Sequence, residues 1–164
     1  MMTSSSRPAP AASVLFVCLG NICRSPLAEA ALREAATKAG LALEIDSAGT
    51  GSWHIGKAPD PRSRAEARRH GIDIGHYRAR QVSPADFARF DRIIAMDAQN
   101  LADLEAMAPA DARAGLSLLL DHVPGLEGED VEDPYFGGEE GFAITWDQVR
   151  RAAETLVREL AGQD

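Results

Sequence analysis

Four short apolar runs, "SVLFV" (13–17), "LEIDS" (43–47), "RIIAM" (92–96) and "LSLLL" (116–120), alternate with stretches of helical periodicity. This alternation restricts the fold more than any other feature of the chain. Each run has the length of a strand, and its largely apolar character suits a strand covered on both faces. Strands alternating with helices imply right-handed crossovers and a parallel sheet between helical layers. The expected architecture is a single three-layer α/β domain of Rossmann-type topology, built on a four-stranded parallel sheet. At 164 residues one such domain accounts for the length. The expected boundaries are a disordered tail over residues 1–12 and the domain over 13–164. "MMTSSSRPAPAA" is rich in Ser, Pro and Ala and lacks the hydrophobic region of a secretory signal.

Helix boundaries are marked by residue type. Ser25 can cap and Pro26 can open "PLAEAALREAATKA", which Gly40 closes. "DPRSRAEARRHG" repeats the scheme with Asp60, Pro61 and Gly71. Ser83 and Pro84 introduce a short helical turn, and Asp97 can cap "AQNLADLEAMA". In the last helix Val149, Ala153, Leu156 and Leu160 recur at i, i+4, i+7 and i+11, with Arg150, Glu154 and Arg158 on the other side.

Charge narrows the partners. A formal net charge of −8 argues against nucleic-acid and anionic-membrane binding, both of which need a basic face. An anionic substrate would have to be captured by a local positive field. No apolar stretch approaches the ~20 residues that span a bilayer. Two cysteines, Cys18 and Cys23, are too few for a disulfide scaffold, so a cytoplasmic protein is expected.

In open parallel sheets ligands bind at the carboxyl ends of the strands, and the first strand ends at Cys18. "CLGNICRS" then reads as a strand-to-helix turn whose backbone amides, with the helix amino terminus, can converge on a tetrahedral oxyanion. Leu19, Gly20, Asn21, Ile22, Cys23 and Ser25 would form this substrate-binding loop. Gly20 removes a side-chain obstacle, and Asn21 tolerates left-handed backbone angles. Arg24 offers a planar fork for two phosphate oxygens. A lone cysteine after a strand is most often a small buried core residue. Here the strand before it, the helix after it and the glycine between favour a nucleophile. Helix amino termini and a neighbouring Arg bring cysteine pKa values into a range of roughly 3.5–7.5. A fall of ~3 units favours the anion by about 4 kcal/mol. Ser25 can donate a hydrogen bond to that sulfur.

"VCLGNICRSPLAEA" closely resembles the signature of the low-molecular-weight protein tyrosine phosphatases. The resemblance continues through "DSAG" (46–49), Trp53, "PDPR" (59–62), "HGI" (70–72), "ARQ" (79–81), "FDRIIAMD" (90–97) and "DPY" (133–135). It implies a phosphotyrosine phosphatase I-like fold and hydrolysis of phosphotyrosine through a phosphocysteine on Cys18. Arg24 would clamp the phosphate, and Asp133 would act first as general acid and then as base. Pro134 would stiffen the acid's loop. The resemblance also implies Trp53 and Tyr135 as aromatic walls, with ordinary core packing the other reading of Trp53. Ser47 would buttress Asn21, unless it is a generic strand-end hydroxyl. Neither a cofactor nor a metal is implied. The expected partner is a phosphotyrosine-containing protein, and the enzyme would be a monomer or weak dimer. Cys23 is either a small structural residue or a redox partner that forms a reversible disulfide with Cys18.

The match is not complete. Tyr77 stands where many members have a histidine joined to the buttressing network, with His76 one residue earlier, and either could serve. Phe136 replaces a second tyrosine found in eukaryotic members. Relatives acting on phosphoarginine tend to have Thr where Ile22 stands, so a protein arginine phosphatase is the weaker alternative. Arsenate reductases of the same fold need further cysteines downstream, and none follows Cys23. A metal pair of Cys18 and Cys23 lacks a second ligand pair, with only His70 or His76 to help. A non-catalytic phosphate-binding module would need neither Cys18 nor Asp133. The basic helix "RSRAEARR" reads as a solvated face.

Overall fold

The run at 14–18 is apolar at every position because its side chains enter two different cores. In the computed structural model, which describes residues 10–162, strand β1 (Ala12–Cys18) sits inside the sheet. Val14, Phe16 and Cys18 point into one cluster, Leu15 and Val17 into the other. The period of two along a strand sends neighbours to opposite faces, and here both faces are dry.

β1 pairs in parallel with β2 (Leu43–Gly49) on one side and β3 (Arg92–Ala95) on the other, and β4 (Gly115–Leu118) lies beyond β3. The order β2-β1-β3-β4 is the expected four-stranded parallel sheet. The chain crosses from β1 to β2 and then returns to the opposite side of β1. That reversal opens a crevice at the carboxyl ends of β1 and β3.

Helices α1 (Arg24–Ala39) and α5 (Glu139–Leu160) cover the face that holds Phe16. Leu27 and Leu32 from α1 meet Val149, Ala153 and Leu156 from α5, while Arg150, Glu154 and Arg158 face outward. The other face is packed by Phe87 of α3 (Asp86–Arg89) and Leu104 of α4 (Ala98–Met107). Full burial of a Phe or Leu contributes about 1.5–3 kcal/mol each. α2 (Pro61–Arg69) is capped by Asp60, whose carboxylate accepts from Arg62 N.

Several boundaries differ from expectation. α1 begins at Arg24, Cys23 takes the N-cap position, and no side chain caps the helix. Ser25 is therefore not the cap, because its hydroxyl is engaged with the Cys18 sulfur. β4 ends at Leu118. Leu119–His122 coil into a 3-10 turn that swings Leu119 and Leu120 into the core beside α5. α3 starts after Ser83 and Pro84, at Asp86, whose carboxylate turns back to accept the Ser83 amide at 2.8 Å. β1 begins at Ala12, and Ala11 N–H donates to Ala42 O. Residues 1–9 of the expected tail lie outside the described residues. Among the described residues no helix is long and apolar enough to cross a membrane.

Candidate active site

Cys18 is the last residue of β1, and its pairing partner is Gly49, the last of β2. A Cβ on Gly49 would lie 2.8 Å from Leu19 O and 3.2 Å from Asn21 N. Only glycine lets β2 approach the loop this closely. Beyond it Thr50 N–H and Gly51 N–H donate to Cys18 O and Leu19 O, both at 2.9 Å, and pin the first half of the loop.

Asn21 has φ 58°, a left-handed conformation that costs a non-glycine residue energy unless its surroundings hold it. Its amide oxygen accepts from Arg80 N–H at 3.0 Å, which fixes the side-chain orientation. Nδ2 must then donate, and it does so to Ser25 Oγ at 2.8 Å and Ser47 Oγ at 3.0 Å. Ser25 Oγ has accepted one bond, so its own proton is free for Cys18 Sγ, 3.0 Å away. Asn21 N–H reaches the same sulfur at 3.3 Å. Ser47 in turn donates to Glu29 Oε1 at 2.7 Å. One backbone amide, that of Arg80, thus sets the direction of the side-chain hydrogen bonds that run back to the sulfur.

Glu29 closes this network from α1. Burial lifts its carboxyl above the usual range, while the Ser47 hydroxyl and Arg33 pull it back down. Arg33 bonds Glu29 Oε2 through Nε at 2.9 Å and Ile45 O through Nη2 at 2.6 Å. Tyr77 packs near this pair, and burial raises its phenol to about 12. His76 is exposed, its ring set edgewise against Tyr77. Among the described residues neither bonds to Asn21, Ser25 or Ser47. The charge facing Glu29 comes from Arg33, four residues along the same helix.

Arg24 is almost fully buried. Its Nη1 donates to Asp97 Oδ2 at 2.7 Å and Val131 O at 2.8 Å, and among the described residues Nε and Nη2 take no hydrogen bond. Burial works against its charge, and Cys18, Asp97 and Asp133 outweigh it, so the guanidinium is held above its ordinary value. Asp97 serves twice, because its other oxygen caps α4 at Asn100 N. Asp133 Oδ2 lies 3.7 Å from Arg24 Nη2, and Oδ1 accepts from Tyr135 N–H at 3.0 Å. The fork therefore has one arm anchored and one arm toward the acid.

Cys18, Arg24 and Asp133 line one pocket of about 140 Å³. Gly20, Ile22 and Cys23 of the loop line it as well, with Leu19, Trp53, His54, Tyr135 and Phe136 around its mouth. Asn21 and Ser25 do not line it; they act from behind the loop. Gly20, Ile22 and Cys23 donate no backbone hydrogen bond among the described residues, and Arg24 and Ser25 open α1 where helical partners are missing. These amides are available to an anion. Burial, with Asp60 and Cys18 adding to it, pushes the Cys23 thiol far above its ordinary value, so it stays protonated.

Trp53 is 69% exposed, which excludes core packing, and its ring lies over Gly51, where a Cβ would collide with it. Ser47 is the buttress and not a generic hydroxyl. Sequence reasoning missed Glu29, Arg80, the second role of Asp97, and His54, whose ring covers Gly20. An acidic residue one helical turn after Ser25, on the same face, was the one available signal for Glu29.

The family model described as low molecular weight phosphotyrosine protein phosphatase matches residues 13–164. A low molecular weight phosphotyrosine protein phosphatase of Schizosaccharomyces pombe is 43% identical over 152 residues, 90% of this chain and 96% of its own length. The crystal structure of YfkJ from Bacillus subtilis is 42% identical, with a TM-score of 0.86 over 96% of this chain and 98% of that one. DARP, a drosophila arginine phosphatase, is 37% identical, with a TM-score of 0.86 over 92% of this chain and 99% of its own.

Proposed function

This chain belongs to the low molecular weight phosphotyrosine protein phosphatases, and on that premise we propose that it hydrolyses phosphotyrosine in proteins through a phosphocysteine on Cys18. The sulfur attacks phosphorus in line as the thiolate. As the S–P bond forms, the P–O bond to the tyrosyl oxygen breaks, and Asp133, protonated at the start, gives its proton to the departing phenolate. In the second half Asp133, now a carboxylate, takes a proton from water as the water oxygen attacks the phosphocysteine. Inorganic phosphate leaves and the thiolate returns. Arg24 Nη2 and Nε, with the loop amides, hold the phosphoryl oxygens throughout. Preorganised donors of this kind are worth about 10²–10³ in kcat each. The Ser25 proton aimed at Sγ favours the anion both as attacker and as leaving group.

The observation that carries this reading is the convergence of Cys18, Arg24 and Asp133 on one pocket with an aromatic rim. A phosphotyrosyl ring can span Trp53 and Tyr135 and still reach the sulfur, whereas phosphoserine is too short. Ile22 in the loop offers an apolar wall to an aryl group and nothing to pair with a guanidinium, which favours tyrosine over arginine. The reading includes a redox element. After peroxide converts Cys18 to a sulfenic acid, the Cys23 thiol condenses with it, forming the disulfide and releasing water. Two free cysteines suit a reducing compartment, and the proposed location is the cytoplasm, as a monomer or weak dimer.

The test is phosphate release from phosphotyrosyl, phosphoseryl and phosphoarginyl peptides. Wild type is expected to prefer phosphotyrosine, Cys18→Ser to show no turnover, and Asp133→Ala to lose about 10²–10⁴ in rate. Faster release from phosphoarginine would move the chain to the arginine-directed relatives. Full activity of Cys18→Ser would end the phosphocysteine mechanism.

A further inference from the structure

The first turn of α2 holds both halves of the site. On one side, Asp60 N–H donates to Ile22 O at 2.8 Å, and the buried Ser63 hydroxyl donates to Cys23 O at 3.1 Å. The loop that carries Cys18 is therefore tied to α2. On the other side lies the turn that follows Asp133, Pro134–Phe136, whose Tyr135 and Gly137 carbonyls point to the same helix. Arg62 Nη2 donates to Tyr135 O at 3.0 Å and Nη1 to Gly137 O at 3.1 Å. Its Nε and Nη2 also grip the two oxygens of Asp60, each at 3.0 Å. The guanidinium lies 5.6 Å from the Tyr135 ring centre and 4.7 Å from that of Phe142 in α5.

Besides Arg24 Nη2, 3.7 Å from its Oδ2, Asp133 has little else to fix its aim. Its carboxylate accepts one backbone amide, from Tyr135, and it is a third exposed. Gly137 and Gly138 follow, and both leave the backbone free to swing. The turn is held through its carbonyls by a side chain that also grips Asp60, whose own backbone amide is bonded to the loop that carries Cys18. An Arg suits this task because its planar fork serves a carboxylate and two carbonyls at once; a lysine ammonium cannot.

We propose that Arg62 is a positioning residue for the acid: it sets the separation between Cys18 and Asp133 and aims the Asp133 proton at the leaving oxygen. The proposal rests on Asp133 being the general acid. A residue that acts through the acid has a specific consequence. Its loss slows substrates whose leaving group needs a proton and spares those whose leaving group does not.

The experiment measures kcat/KM, which reports phosphorylation of the free enzyme, with a phosphotyrosyl peptide and with 2,4-dinitrophenyl phosphate. The proteins are wild type, Arg62→Met, Arg62→Lys, Asp133→Asn and the Arg62→Met/Asp133→Asn double variant, each first checked by thermal melting. Asp133→Asn is expected to lose about 10²–10⁴ on the peptide and little on the dinitrophenyl ester. Arg62→Met shows the same bias at about 10–10²-fold. Arg62→Lys fails to rescue it, and the double variant is no slower on the peptide than Asp133→Asn alone. If Asp133→Asn shows no bias, the acid assignment falls and the clamp with it. If that bias is present but Arg62→Met slows both substrates equally, slows neither, or adds its loss in full to the double variant, the clamp alone is overturned.

Discussion

Replacing Asn21 separates two contributions that the structure superimposes at one residue. The side chain makes three hydrogen bonds, to Ser25, Ser47 and the Arg80 amide, all in the buried layer behind the phosphate loop. The backbone sits at φ 58°. Asn21→Gly keeps the left-handed turn and removes the side chain. At about 1 kcal/mol net for each bond, the expected loss is about 3 kcal/mol of folding stability. For a domain of this size that is a fall in Tm of roughly 6–12 °C. Asn21→Ala loses the same bonds and adds the left-handed penalty, roughly 1–2 kcal/mol more. Urea unfolding monitored by tryptophan fluorescence gives both values. Activity is expected to fall further than stability alone implies, because the Ser25 proton is no longer directed to the sulfur. A loss in kcat/KM of about 10–10²-fold at a temperature where both variants are fully folded would be typical of such misplacement. An Asn21→Gly protein as stable as wild type would refute the hydrogen-bond account, and equal stability of Gly and Ala variants would refute the backbone one.

Peroxide is expected to inactivate wild type reversibly, with dithiothreitol restoring activity, whereas Cys23→Ser loses activity that dithiothreitol recovers poorly. Equal recovery in the two proteins would assign Cys23 a structural role only. The second expectation concerns acid stability. Burial pushes the Asp60 carboxyl upward, but hydrogen bonds from Arg62 outweigh it and hold the group below its ordinary 3.8. The native state therefore binds fewer protons than the unfolded chain near that pH. This contribution is complete above the ordinary value and is lost as pH falls through the depressed one. Asp60→Asn should thus lose less of its stability than wild type between about pH 5 and pH 2.5, and identical losses in urea unfolding would contradict the assignment.

Much of this molecule was legible in one dimension because the determining interactions are local or periodic. The apolar runs marked the strands: β1, dry on both faces, leaves no room for polar residues, whereas the edge strand β2 keeps Glu44 and Asp46 half-buried between its apolar residues. Asp60, Asp97 and Gly40 marked helix ends through bonds to residues a few positions away. Errors arose where a distant partner competed. Ser25 has the type and place of a cap, yet its hydroxyl goes to a sulfur seven residues earlier. The "LSLLL" run reads as one strand, yet its last two residues turn off the sheet to fill the core beneath α5.

The sequence by itself determined the sheet, its parallel sense and the place of Cys18, because a cysteine at the end of a buried strand before a helix can lie only at the carboxyl edge of the sheet. It also determined which chemistry the loop could support, through the types and spacing of Cys18, Arg24 and Ser25. Tertiary structure alone decided how those groups are oriented. Arg80 fixes Asn21 from 59 residues away, Asp97 anchors Arg24 across 73, and Arg62 reaches the Asp133 turn across 73 to 75. The physical reason is that a hydrogen bond has direction as well as distance, and the direction of each of these is set only when separate segments of the chain are brought together around one sheet.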